Sequence, residues 1–134
     1  MQKGDTQALE SKLQADELLK LFIDLVAFDT RADFSSNDKP SSIGQLRLGA
    51  YLLNMLSRLN LKPVQTKEGV IITKIPATVG YESAERLCLL AHLDTAPDAP
   101  GNDIHPSLVV EYKGEGIELA NGNVIDHELS PDLA

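Results

Sequence analysis

The sequence is short of the features that mark several common protein classes. It contains one cysteine, Cys88, which excludes an intramolecular disulfide and fits a reducing cytoplasm. No apolar stretch approaches the length of a membrane helix, and residues 1–14 are polar, so no secretory signal is predicted. A P-loop, a Cys-x-x-Cys pair and a Gly-x-Ser-x-Gly motif are missing as well. We therefore expect a cytoplasmic protein with no membrane partner.

Basic residues are scarce in the second half of the chain. Residues 1–67 carry nine basic and eight acidic side chains, whereas residues 68–134 carry three basic and twelve acidic side chains. The resulting net charge of −8 disfavours nucleic acid as a partner. The acidic half is either a solvated surface or a region that attracts cations.

Two helices are predicted in the first half of this 134-residue chain, which has the length of one domain. Asp16 can cap the first helix, which carries a core-facing apolar stripe and ends near Asp29. Ser42 and Gln45 form a capping-box signature for a second helix, and Asn60 can stop it. The predicted buried face of this second helix consists of Leu46, Ala50, Leu52, Leu53, Leu56 and Leu59.

Strands are predicted to follow the helices. A hairpin-like pair is expected at residues 62–66 and 70–75, with a turn between them. The apolar residues 86–93 predict a central strand buried on both faces, in which Cys88 would be a small buried hydrophobe. Shorter strands are expected at residues 108–112 and 117–119, the latter followed by an Asn-Gly turn. These elements predict an α/β layered domain.

His92 and Asp94 end the predicted central strand. They are two residues apart, so their side chains leave the same face of an extended backbone, at the end of the strand where open α/β sheets bind ligands. An imidazole on a metal, with a carboxylate that fixes the ring, is a recurring arrangement. By itself, however, a His-x-Asp triplet is more often accidental than metal-binding.

The other two histidines carry weaker signals. His105 precedes a proline in a predicted loop, and a role as a metal ligand is the minor alternative there. His127 lies between Asp126 and Glu128, a cluster that either binds a divalent cation weakly or is a solvated polar turn, of which the turn is favoured.

From His92 onward the chain resembles peptidase T, the tripeptide aminopeptidase family, which belongs to a clan of two-zinc exopeptidases and deacylases related to glutamate carboxypeptidases. His-x-Asp-Thr marks the clan, and the continuation from Pro97 and Asp98 to Gly114 points to the peptidase T branch. Earlier segments that share the resemblance, which covers the chain from about Leu18, are Phe28-Asp29-Thr30 and Gly69-Val70-Ile71-Ile72-Thr73.

The resemblance implies a fold and a chemistry. The fold would be the N-terminal part of a zinc-exopeptidase catalytic domain, with helices packed on a mixed β-sheet, and residues 15–134 would form this portion after a tail at residues 1–14. His92 would ligate one zinc ion, and Asp94 would orient its ring for catalysis. The family uses two zinc ions, whereas the matched motif supplies at most one partial site. The remaining ligands and the general base come later in the family's sequence.

Two classes of function follow. The chain is either the front part of a zinc aminopeptidase that acts on short peptides, inactive in isolation, or a non-catalytic remnant or interaction module that pairs through an exposed sheet edge. A fragment of a related deacylase or dipeptidase is a variant of the first. No helix is predicted after the central strand, so one sheet face would stay open. Expected partners are therefore a second copy of the chain or the missing C-terminal part.

Overall fold

The computed structural model describes residues 16–126, 128 and 131 of the chain. Its internal contacts divide it into two compact units. One unit is Glu17–His105, and the described part of the other comprises Asp16, residues 106–126, Glu128 and Pro131. The predicted tail at residues 1–14 and the predicted polar turn at His127 lie outside the described residues.

Helix α1 spans Glu17–Val26, so it begins where Asp16 predicted and ends three residues before Asp29. The stripe predicted to face a core, formed by Leu18, Leu21, Phe22, Leu25 and Val26, contains no buried residue. Tyr51 holds the end of α1 instead. Its hydroxyl donates a hydrogen bond to Asp24 Oδ2 at 3.0 Å, and its ring lies 5.5 Å from that of Phe28.

Helix α2 spans Ile43–Arg58, with Ser42 at its N-cap position. The predicted start is therefore right, but the predicted capping box is wrong, because Ser42 makes no side-chain cap hydrogen bond. The Gln45 side chain turns away to the preceding loop. At the other end, Asn60 takes the left-handed conformation with φ 58°, which terminates the helix as predicted.

The buried face of α2 is rotated from the predicted one. The buried positions are Gly44, Gln45, Leu48 and Gly49, whereas Leu46, Ala50 and Leu59 are exposed. The prediction counted only apolar side chains and so left out the two glycines and the glutamine. The glycines nevertheless let neighbouring segments of the chain approach the helix closely. A Cβ added to Gly44 would overlap the backbone carbonyl oxygen of Asp29, and one added to Gly49 would lie 2.6 Å from Gln65 Nε2. Close backbone approach, and not the leucine stripe, therefore sets the packed face.

A β-hairpin packs on α2. Strands β1 (Val64–Gln65) and β2 (Ile71–Ile72) pair antiparallel, within the predicted ranges but much shorter than predicted. Their turn is closed by the Thr66 amide, which donates to the Val70 carbonyl at 2.9 Å. Gly69 has φ 86° in this turn, a conformation that glycine adopts without steric cost.

The expected central strand at residues 86–93 is absent. The segment is not part of any strand, and Leu87, Cys88, Leu89 and Leu90 are exposed. The predicted strand at residues 108–112 is absent too. Both predictions rested on apolar runs, which specify a strand only when a neighbouring strand and covering layers are available. The described residues provide none for these two segments.

The described part of the second unit contains one hairpin. Strands β3 (Ile117–Glu118) and β4 (Val124–Ile125) pair antiparallel around the predicted Asn121-Gly122 turn, where Gly122 has φ 82°. The predicted α/β class is confirmed, because the residues that the structure describes form two helices and small antiparallel sheets. No helix among the described residues is long and apolar enough to cross a membrane.

Candidate functional site

One isolated parallel bridge ties the His92–Asp94 motif to the loop after α1. The Thr95 amide donates to the Thr30 carbonyl at 3.1 Å, and the Ala32 amide donates to the Thr95 carbonyl at 2.9 Å. The two threonine hydroxyls are 3.5 Å apart, and Thr30 is among the few buried polar residues. The bridge fixes the backbone immediately after Asp94.

Gln45 supports this bridge from helix α2. It is 6% exposed, and its amide nitrogen lies 3.2 Å from the Thr30 carbonyl, 3.3 Å from the Arg31 carbonyl and 3.3 Å from Ser41 Oγ. The amide can donate to these acceptors because the loop carbonyls face the helix. Gln45 of helix α2 thus holds the loop segment at Thr30 and Arg31, and this segment in turn pairs with Thr95.

The structure brings His92 and Asp94 into contact. His92 Nδ1 lies 2.5 Å from the backbone carbonyl oxygen of Asp94 and 3.5 Å from its carboxylate Oδ1. Two oxygens therefore favour a proton on Nδ1, which leaves the lone pair on Nε2. The His92 side chain is 82% exposed, so Nε2 is accessible. This is the orientation that a metal-binding histidine requires.

The motif faces an open cleft of about 370 Å³. His92 and Asp94 line one part of this cleft, and the β1–β2 turn brings Glu68 to it. Hydrogen bonds from its own backbone N–H and from the Thr66 hydroxyl lower the pKa of Glu68, which favours its charged form. Glu68 was not predicted as a site residue. The turn signal at residues 67–69 located it on a hairpin, but nothing in the sequence placed that hairpin beside His92.

A second, larger cleft of about 840 Å³ lies beside the loop after α1. Asp29 and Arg31 on its wall form a two-pronged ion pair, with Nε to Oδ1 at 2.8 Å and Nη2 to Oδ2 at 2.7 Å. The hydrogen bonds from the Arg31 guanidinium hold the pKa of Asp29 below its ordinary value. The pair stiffens the loop that carries the Thr95 bridge.

The other candidate ligand that the structure describes, His105, does not join His92. His105 is exposed and forms its own contact, from Nε2 to Asp103 Oδ1 at 2.9 Å. Within residues 16–126, 128 and 131, no three His, Cys, Asp or Glu side chains are grouped as a metal would require. The described residues therefore suit one imidazole ligand and its orienting oxygens, but they do not form a complete zinc site, which needs three protein ligands.

Comparison with known proteins finds relatives named peptidase T. It is 38% identical over 117 residues to peptidase T of Photobacterium profundum, 32% identical over 113 residues to peptidase T of Clostridium perfringens, and 31% identical over 112 residues to peptidase T of Haemophilus influenzae. The resemblance to peptidase T is confirmed. These matches cover 84–87% of this chain. No protein-family model matches.

The matched part is short relative to peptidase T. The chain spans only about 28% of the length of these relatives. A match of that extent is consistent with an N-terminal part of such a protein.

Proposed function

We propose that this chain is the N-terminal segment of a cytoplasmic, zinc-dependent aminopeptidase that releases N-terminal residues from tripeptides. The observation that carries the proposal is the position of His92 Nδ1 beside the backbone carbonyl oxygen and the carboxylate Oδ1 of Asp94, within a chain 38% identical over 117 residues to a protein named peptidase T. Fold resemblance alone would not assign chemistry, but the resemblance here includes His92 and Asp94, two of the residues that would take part in it.

In this proposal the residues of the candidate site either bind the metal or hold the metal-binding residue in position. His92 offers Nε2 as a zinc ligand, while Asp94 accepts a hydrogen bond from the Nδ1–H group and keeps the ring in the required tautomer. The Thr95 bridge and Gln45 hold the motif in place. Zinc, when bound, would supply an activated water and polarise the peptide carbonyl. The remaining ligands would come from polypeptide outside these 134 residues, so we expect no peptidase activity from this chain alone.

The test uses a chimera in which this chain replaces the matched segment of Photobacterium profundum peptidase T. We expect zinc-dependent tripeptide hydrolysis that is lost in the His92→Ala variant and retained in the His105→Ala control, since His105 pairs with Asp103 and not with the His92–Asp94 motif among the described residues. A His92→Ala chimera with normal activity would refute the assignment of His92.

A non-catalytic interaction module is the second candidate function. The exposed leucines at residues 87–90 favour it, because exposed apolar surface promotes association. Under this alternative the chimera would fail to hydrolyse tripeptides with or without zinc, and the His92→Ala substitution would have no effect on any property of the chain.

A further inference from the structure

Glu68 brings a second carboxylate to the cleft that His92 lines. Among the described residues that line this cleft, Glu68 and Asp94 carry the two carboxyl groups, and no lysine or arginine is present. The Asp94 carboxylate lies 3.5 Å from His92 Nδ1 and is therefore engaged with the ring. Glu68 forms no ion pair within the described part of the chain. Its negative charge is thus left for a ligand that enters the cleft.

The β1–β2 turn holds the Glu68 carboxylate in one position. The Thr66 hydroxyl and the Glu68 backbone N–H both donate hydrogen bonds to it. The Thr66 hydroxyl oxygen also accepts from the Val70 amide at 3.3 Å, which ties it to the hairpin. Gly69 is buried against the Pro40 ring, since a Cβ added to Gly69 would lie 2.9 Å from Pro40 Cδ. The carboxylate is therefore positioned before a ligand arrives, which lowers the cost of ordering it on binding.

The basic residue that acts on Glu68 leaves the cleft side of the carboxylate open. Lys39 attracts Glu68 more weakly than the hydrogen bonds of the turn do, and Lys39 does not line the cleft. The charge that would complement Glu68 from inside the cleft is therefore a cationic group of the ligand. The cleft volume of about 370 Å³ lies within the usual range for ligand pockets, roughly 300–1,000 Å³.

The substrate of an aminopeptidase carries such a cation. Its α-amino group has a pKa of about 8 and is mostly an ammonium ion at neutral pH. This group is attached to the carbon next to the carbonyl that is attacked, so it must bind in the same cleft as the metal-binding histidine. A carboxylate is its natural partner there, because hydrogen bonds between ionised groups are stronger than neutral ones.

We propose that Glu68 binds the α-ammonium group of the peptide substrate and thereby selects peptides with a free N-terminus. The inference rests on the proposed function, and it adds a specificity-determining residue to it. The N-terminal residue of the peptide would lie between the β1–β2 turn and His92, with its carbonyl on the His92 side.

Two matched substrates and two matched variants test this role in the chimera with Photobacterium profundum peptidase T. The substrates are alanyl-glycyl-glycine and lactoyl-glycyl-glycine, in which a hydroxyl group replaces the α-ammonium group at nearly the same size. The variants are Glu68→Gln and the control Glu82→Gln. Glu82 also accepts a hydrogen bond from a backbone amide, that of Gly80 at 3.1 Å, but it does not line the cleft. Both glutamates are exposed, so neither substitution should unfold the chain.

We expect Glu68→Gln to lower kcat/KM for alanyl-glycyl-glycine by about 10-fold or more, chiefly through a higher KM, because a hydrogen bond between charged groups is lost. Glu82→Gln should leave kcat/KM unchanged. Glu68→Gln should change neither the hydrolysis of lactoyl-glycyl-glycine nor the zinc content. An equal loss with both substrates, or a loss of zinc, would overturn the proposal, because Glu68 would then act on the metal or the fold.

Equilibrium binding of alanyl-glycyl-glycine to the zinc-free chimera, measured by calorimetry, separates this role from the proposed function. We expect Glu68→Gln to weaken binding by about 10-fold or more and Glu82→Gln to leave it unchanged. Hydrolysis and binding that are the same with and without the Glu68 carboxylate would refute its role and leave the proposed function intact. Binding that depends on Glu68, without any hydrolysis after zinc is restored, would do the reverse. A chimera that neither binds nor hydrolyses the peptide would overturn both.

Discussion

Replacement of Gln45 by methionine removes the link between helix α2 and the loop that holds the candidate site. Methionine keeps the approximate volume and length of glutamine, so packing is largely retained. The glutamine amide has two protons that serve three acceptors at 3.2–3.3 Å, and we therefore count two hydrogen bonds. At about 1 kcal/mol net for each bond, the loss is about 2 kcal/mol, which is a roughly 30-fold change in the unfolding equilibrium.

The measurement is urea unfolding followed by circular dichroism, with exchange of the Thr95 amide as a local readout. We expect the Thr95 amide, which donates to the Thr30 carbonyl, to lose protection in Gln45→Met. Gln65→Met is the matched control, because the Gln65 amide makes one long contact of 3.4 Å and should cost less than about 0.5 kcal/mol. If Gln45→Met were as stable as Gln65→Met, the proposed support of the loop by α2 would be wrong.

Two further predictions concern the same loop. Gly44→Ala should destabilise the chain by more than about 3 kcal/mol, because its Cβ would overlap the Asp29 carbonyl oxygen. The control Gly80→Ala has open space around the added Cβ and should cost about 1 kcal/mol, because the position has a positive φ. Equal losses of stability in urea unfolding would contradict the close approach of Gly44 to Asp29. Arg31→Ala should raise the pKa of Asp29, measured by carboxyl NMR titration, whereas Lys20→Ala should leave it unchanged. Because the folded pKa of Asp29 is lowered, its contribution to stability is present above about pH 4 and is lost as the pH falls through the folded pKa. An Asp29 pKa that did not change in Arg31→Ala would refute the ion pair.

Local signals in the sequence predicted the positions of most elements. The Asp16 and Ser42 positions located both helix starts, Asn60 located a helix end, and Asn121-Gly122 located a hairpin turn. Each of these signals acts within a few residues, because capping and turn formation depend on nearby backbone groups. The order of elements along the chain could therefore be predicted.

Features that depend on contacts with distant parts of the chain were predicted less accurately. The leucine stripe of α2 predicted the wrong buried face, because Gly44 and Gly49 permit closer contact than a leucine does. The apolar run at residues 86–93 predicted a buried strand, but burial depends on neighbours that are not encoded within the run. Pairing of such a run is a tertiary property, and periodicity alone does not establish it.

The proximity of His92 and Asp94 was predicted, but their surroundings were not. The spacing of His92 and Asp94 placed them together, and the structure adds the backbone carbonyl of Asp94 as the nearer oxygen to Nδ1. Glu68 in the same cleft and the support of the Thr95 bridge by Gln45 were not predicted. Both arise from contacts between segments more than ten residues apart, which no local pattern in the sequence indicates.

The measurement that tests the central claim most directly is the zinc content of the chimera with and without the His92 side chain. We expect about two zinc ions per chimera, as the resemblance to two-zinc exopeptidases implies, and a loss of about one ion in His92→Ala, with His105→Ala unchanged. Zinc content is read by metal analysis after dialysis and does not depend on activity. A His92→Ala chimera that retained both ions would contradict the role of His92 as a ligand.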